Sequence, residues 1–69
     1  MEDYKISLKA ARVNAGMTQS EVAEVMGVAL STVVSWEKGH HQPSTRTVVK
    51  LAELYKIPIQ GLSLANLIN

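Results

Sequence analysis

The sequence contains no cysteine, so it offers no disulfide framework, no thiolate metal cluster and no cysteine nucleophile. It also lacks a long hydrophobic run, with nothing near the roughly 18 consecutive apolar residues of a membrane span. The N-terminal residues MEDYKISLK are acidic at first and have no apolar centre of the kind a secretory signal requires. Neither export nor membrane anchoring is implied, and a cytoplasmic location is the default expectation. An excess of charge of one sign is missing as well. Seven Lys and Arg stand against six Asp and Glu, a net charge of +1, which counts against binding driven by bulk charge alone. For a polyanionic partner the local distribution of charge matters more than the sum. The G-x-S-x-G, P-loop and H-E-x-x-H patterns are all absent. A core this small leaves little room for a substrate pocket, and catalysis is not expected.

What is present is a short chain of 69 residues, 46% of them apolar, near the lower limit at which one core holds a fold without staples. A single domain over residues 1–69 is expected, with no repeat, linker or low-complexity segment. The organising stretch is residues 18–39, TQSEVAEVMGVALSTVVSWEKG. Thr18 and Glu21 have the spacing of a capping box, in which hydroxyl and carboxylate each accept from the other residue's amide. Val22, Ala23 and Met26 then form a short apolar stripe, and Gly27 follows where a left-handed residue ends a helix. A second helical run places Val33 and Trp36 at i, i+3 and closes on Lys38 and Gly39. The pattern reads as helix, turn, helix.

On either side the elements are plainer. Residues 7–15 form a helix with Ser7 as N-cap, Leu8, Ala11 and Ala15 on one face, and Gly16 as the stop. After Gly39 the polar loop HHQPS leads to Ser44, which caps a helix over Thr45–Tyr55 with Val48, Leu51, Ala52 and Tyr55 facing the core. Pro58 breaks it. A fifth, short helix is expected to start at Pro58 and carry Ile59 and Leu62, its length left open by Gly61.

Thr18-Gln19, Glu21, Ala23, Gly27-Val28, Ser31-Thr32-Val33, Trp36-Glu37-x-Gly39 and Pro43 together resemble the helix-turn-helix of the phage Cro/CI repressor family, also called XRE-type regulators. The resemblance covers roughly residues 7–62, with small, apolar and capping residues in register. It implies an all-α, compact five-helix, lambda-repressor-like DNA-binding domain, with the helix-turn-helix unit at about 18–39. It further implies a sequence-specific regulator of transcription, more often a repressor, acting as a homodimer on a double-stranded DNA operator.

Carried over by position, the residues facing bases are Ala29, Leu30, Ser31 and Ser35. None is Arg, Lys, Asn or Gln, so the bidentate contacts that discriminate guanine or adenine are missing, whereas Ala29 and Leu30 suit thymine methyl groups. Modest direct readout is expected, with DNA shape supplying more of the discrimination. Gln19, Thr32, Lys38 and Arg46 fall where the family contacts phosphate, and Glu21, Glu24 and Glu53 must then face away from DNA. The resemblance pairs Arg12 with Glu37, linking the first helix to the third. Ala29 departs from the pattern, because Ser or Thr is more common at that N-cap. The loss costs about 1 kcal/mol, is partly compensated by Thr32, or leaves amides free for a phosphate; the sequence leaves these alternatives open.

Trp36 is expected to pack between helices rather than stack on bases. His40 and His41 can approach phosphate when protonated, although a solvated loop is the plainer reading. With no spaced partner they make a poor metal site, and no metal, cofactor or small-molecule ligand is expected. Ile59, Leu62 and Leu64, with Leu67 and Ile68, are more apolar side chains than a closing helix needs and suggest a dimer contact. Core packing explains Leu62 equally well. Two rival readings remain: a protein-binding module of antitoxin or adaptor type, and the DNA-binding part of a longer repressor.

Overall fold

The computed structural model describes residues 5–62. Among them are four α-helices, α1 (Leu8–Asn14), α2 (Gln19–Met26), α3 (Leu30–Lys38) and α4 (Thr45–Tyr55), followed by one 3₁₀ turn at Ile59–Gly61. Each helix start has a local cause. Ser7 Oγ accepts from the Ala10 amide at 3.0 Å, and Ser44 Oγ accepts from the Thr47 amide at 3.2 Å. At α2 the box is complete: the Glu21 amide donates to Thr18 Oγ1 at 3.0 Å and the Thr18 amide to Glu21 Oε1 at 2.8 Å. Such caps satisfy amides that have no partner within the helix.

The core gathers Leu8 and Ala11 from α1, Val22 and Ala23 from α2, Val33 from α3, and Val48, Leu51, Ala52 and Tyr55 from α4. Leu62 completes it from beyond the 3₁₀ turn. Met26, Val28 and Trp36 pack half-buried against this cluster. α2 packs chiefly on α3, while α1 bridges α3 and α4. Ala15 does not join Leu8 and Ala11 inside. The helix ends at Asn14, and Ala15 is an exposed C-cap.

The expected fifth helix is replaced, within the described residues, by the single 3₁₀ turn. Pro58 stands before it in extended geometry (ψ 146°), and Leu62 leaves it extended again (φ −89°, ψ 133°). Gly61, a weak helix former, ends the turn. The Ile6 amide donates to the Gly61 carbonyl at 2.8 Å, and Ile6 and Leu62 pair as an isolated parallel bridge. Burying Leu62 and pairing this backbone with the chain's other end take the place of further helical turns. Leu62, proposed above as a dimer contact, is 3% exposed and belongs to the core. Ile59 is exposed; Leu64, Leu67 and Ile68 lie outside the described residues. No helix among the described residues is long and apolar enough to cross a membrane.

Candidate nucleic-acid interface

Residues 27–29 reverse the chain between α2 and α3. Gly27 has φ 71°, a left-handed geometry that L side chains rarely adopt; a β-carbon there would meet nothing within 4 Å. Backbone conformation, not crowding, therefore asks for glycine. Val22 at 0% exposure and Val33 at 1% lock the two helices together from inside. Locking that face leaves the opposite side of α3 outward.

No side chain caps α3. Ala29 is extended at the N-cap and makes no side-chain hydrogen bond, and the first bonds of the helix run from the Thr32 and Val33 amides to the Ala29 carbonyl at 3.0 and 3.4 Å. The amides of Leu30 and Ser31 precede those bonds, at the positive end of the helix dipole. Ala29 and Ser31 are exposed, and Leu30 is 47% exposed, a large apolar side chain held in solvent. Thr32 and Ser35 are half-buried.

Along this face runs an open depression of about 310 Å³, lined by Ser31, Thr32, Ser35 and His41. Ser31 and Thr32 come from the first turn of α3 and Ser35 from the next. His41 arrives because Gly39 (φ 80°) ends the helix left-handed and the His40 amide then donates to the Ser35 carbonyl at 2.9 Å. The loop is thereby folded over the last turn of α3. Composition of the loop gave no sign that His41, rather than His40, would face these hydroxyls; the stop at Gly39 is the only local signal.

Behind α3 lies an ion pair. Arg12 Nε donates to Glu37 Oε2 at 2.7 Å and Nη2 donates to Oε1 at 3.3 Å, while Nη1 donates to the Met17 carbonyl at 2.9 Å. The two side chains are 11% and 5% exposed. Hydrogen bonding to Glu37 raises the Arg12 pKa further above its usual value, against the opposing effect of burial. Gln19 joins the pair, its Nε2 donating to Glu37 Oε1 at 3.0 Å. A carboxylate only accepts, so Glu37 also sets which way the Gln19 amide faces. One N–H and the carbonyl oxygen of Gln19 remain for another partner.

Tyr55 feels the same centre. Burial, reinforced by the negative charge of Glu37 and opposed by Arg12, pushes its phenol from 10.0 up to about 12. The folded state thus holds the phenolic proton more tightly than the unfolded state. Stability from the neutral phenol is complete below pH 10 and declines between pH 10 and about 12, by about 2–3 kcal/mol in all. Tyr55→Phe is expected to lack this part of the alkaline loss. Parallel denaturant titrations of both proteins across that range check it, and identical pH slopes would refute it.

The structure thus brings Ser31, Thr32 and Ser35 together with His41, and ties Gln19 to Glu37. Lys38 and Arg46 are exposed at the end of α3 and the start of α4, and neither lines the depression. Glu21, Glu24 and Glu53 are exposed as well.

A capped helix, a three-residue turn and a second helix with its outer face uncovered define a helix-turn-helix domain. Comparison with known proteins agrees. A family model described as helix-turn-helix matches residues 8–62. The chain is 37% identical over 59 residues to the cryptic phage CTXphi transcriptional repressor RstR of Vibrio cholerae, covering 86% of this chain and 53% of that protein. It is 41% identical over 51 residues to an uncharacterized HTH-type transcriptional regulator of Archaeoglobus fulgidus, covering 74% and 73% respectively. With the HTH-type transcriptional regulator ImmR of Bacillus subtilis it shares 38% identity over 50 residues, covering 72% of this chain and 39% of that protein. The chain therefore spans about half the length of the Vibrio repressor and less of the Bacillus regulator. No solved structure matches it. The chain belongs to the Cro/CI-type, or XRE, helix-turn-helix family of DNA-binding regulators.

Proposed function

We propose that this chain is a sequence-specific double-stranded DNA-binding regulator of transcription, a cytoplasmic repressor that reads the major groove with α3 as a homodimer. The observation that carries the reading is the uncapped, exposed start of α3, fixed from behind by Val22 and Val33. A helix so presented fits the major groove, with its N-terminal residues at the base edges and the preceding helix against the backbone.

Ala29 and Leu30 would then meet thymine methyl groups, and Ser31 and Ser35 would bond base edges. Gln19, Thr32, Lys38 and Arg46 would hold phosphates. Repression follows from occupancy of a promoter, and dimer formation on a two-fold operator doubles the small contact area of one module. Ile59, exposed at the start of the 3₁₀ turn, would contribute to the dimer surface; Leu64 lies outside the described residues. Relatives named as repressors and HTH-type regulators support the same reading.

Affinity selection from a random duplex pool, followed by salt titration of enriched and scrambled duplexes, tests it. A two-fold sequence should emerge, with half-sites about one helical turn apart. Of the four proposed phosphate contacts in each protomer, Lys38 and Arg46 are the two that carry a positive charge. The logarithmic salt dependence of a dimer should therefore be shallow, about −4 from roughly −0.9 per neutralised phosphate. Equal affinity for all duplexes would sink the proposal.

A further inference from the structure

The depression beside α3 contains one group that the reading above leaves unused. Three of its four lining side chains are hydroxyls, and the fourth is the His41 imidazole. From the geometry we infer that His41 is a proton-linked DNA contact, donating as an imidazolium to a backbone phosphate at the edge of the groove that α3 enters. The inference rests on the proposed function, because the duplex supplies the phosphate.

Placement argues for it. His41 stands on the loop flanking α3 rather than on the helix itself, and what flanks a helix inside the major groove is the sugar-phosphate wall. Its hydroxyl neighbours Ser31, Thr32 and Ser35 face the same space, so a duplex that touches them comes within reach of the imidazole. α3 is otherwise short of strong donors on this face, offering hydroxyls and apolar groups where other readers carry Arg, Lys, Asn or Gln.

The charges around the site decide the sign. None of the lining residues from α3 is ionisable. Within α3 the carboxylate of Glu37 is turned away to Arg12 and Gln19, and Lys38 is cationic. The loop adds His40, and the first two turns of α4 add Arg46 and Lys50. This loop and those turns carry no carboxylate. DNA phosphate is then the anion that favours the imidazolium, so binding takes up protons and strengthens on acidification.

The test uses the full chain, its enriched duplex and a scrambled duplex, titrated at about pH 7.5 and about pH 6 with His41→Gln and His40→Gln alongside. Circular dichroism at both pH values monitors folding. Wild type and His40→Gln should gain affinity on acidification, by roughly a few-fold per protomer. Both duplexes should show the gain, because phosphate is common to them, and the salt dependence should steepen. His41→Gln should lose the pH effect yet keep its preference for the enriched duplex. An unchanged pH effect in His41→Gln, or a gain confined to the enriched duplex, would overturn the inference while leaving the regulator reading intact. Failure of wild type to prefer any duplex at either pH would overturn both.

Discussion

Arg12→Ala is expected to lower the folding free energy by about 3–5 kcal/mol, the usual cost of stranding one member of a buried ion pair. For 69 residues total stability is on the order of 3–10 kcal/mol, so the loss is a large fraction of the whole and the variant should unfold at a much lower denaturant concentration. The size of the effect comes from what is left behind. Removing the guanidinium takes both of its bonds from Glu37, leaving that carboxylate, 5% exposed, only the neutral Gln19 amide. The Met17 carbonyl loses its donor as well.

The same physics predicts that the apolar double replacement Arg12→Met with Glu37→Leu is far milder, since neither charge remains to be desolvated. Urea denaturation of the three proteins at neutral pH is the measurement. A loss under about 1 kcal/mol for Arg12→Ala would mean that the pair behaves like an exposed one. DNA titration of the double variant separates folding from function. If Glu37 orients Gln19 for a phosphate, this folded protein should bind the enriched duplex more weakly.

The second large effect is expected at Leu62. Truncation to alanine should cost about 2–5 kcal/mol, because the side chain is buried among the α-helices and its removal leaves a cavity. Ile59→Ala should stay within about 0.5 kcal/mol, as an exposed substitution does. Measured at several protein concentrations, the Leu62→Ala loss should not vary, whereas a residue acting through a dimer interface gives a concentration-dependent midpoint. Sedimentation of Ile59→Ala then reports on self-association with the core intact. If Leu62→Ala folds normally but sediments as a monomer where wild type is dimeric, the side chain belongs to an interface after all.

Much of this architecture was legible because its signals are local. Thr18 with Glu21, Ser44 with Thr47, and the glycines at 27 and 39 each act within a few residues of themselves, and a reader of the sequence sees the whole interaction. The stripe of Val48, Leu51, Ala52 and Tyr55 repeats with the period of a helix. Ala15 failed the same arithmetic, since the face it would extend stops one residue earlier, at Asn14. The segment after Pro58 was ambiguous for a different reason. Its geometry is settled by Ile6, far away in the chain, and nothing near Gly61 announces that partner.

Distance in sequence also hid how the polar groups of the candidate site are connected. Arg12 and Glu37 are 25 residues apart and Gln19 and Glu37 are 18 apart, so the first pairing was visible only through family resemblance and the second not at all. His41 depends on how a five-residue loop folds back, a matter of backbone geometry after Gly39 rather than of residue type. Local signals thus disclosed the scaffold, and long-range contacts disclosed how its polar groups are aimed.

The pairing of Ile6 with Leu62 bears on how such a domain travels between proteins. Near the two ends of the described residues, the backbone at Ile6 and at Gly61–Leu62 lies side by side, stitched by one hydrogen bond. A module built this way can sit at either end of a larger polypeptide, or be spliced into a surface loop of a host, without prising the host's backbone apart. Its portability is thus a property of two neighbouring strands of backbone, independent of whatever α3 comes to recognise.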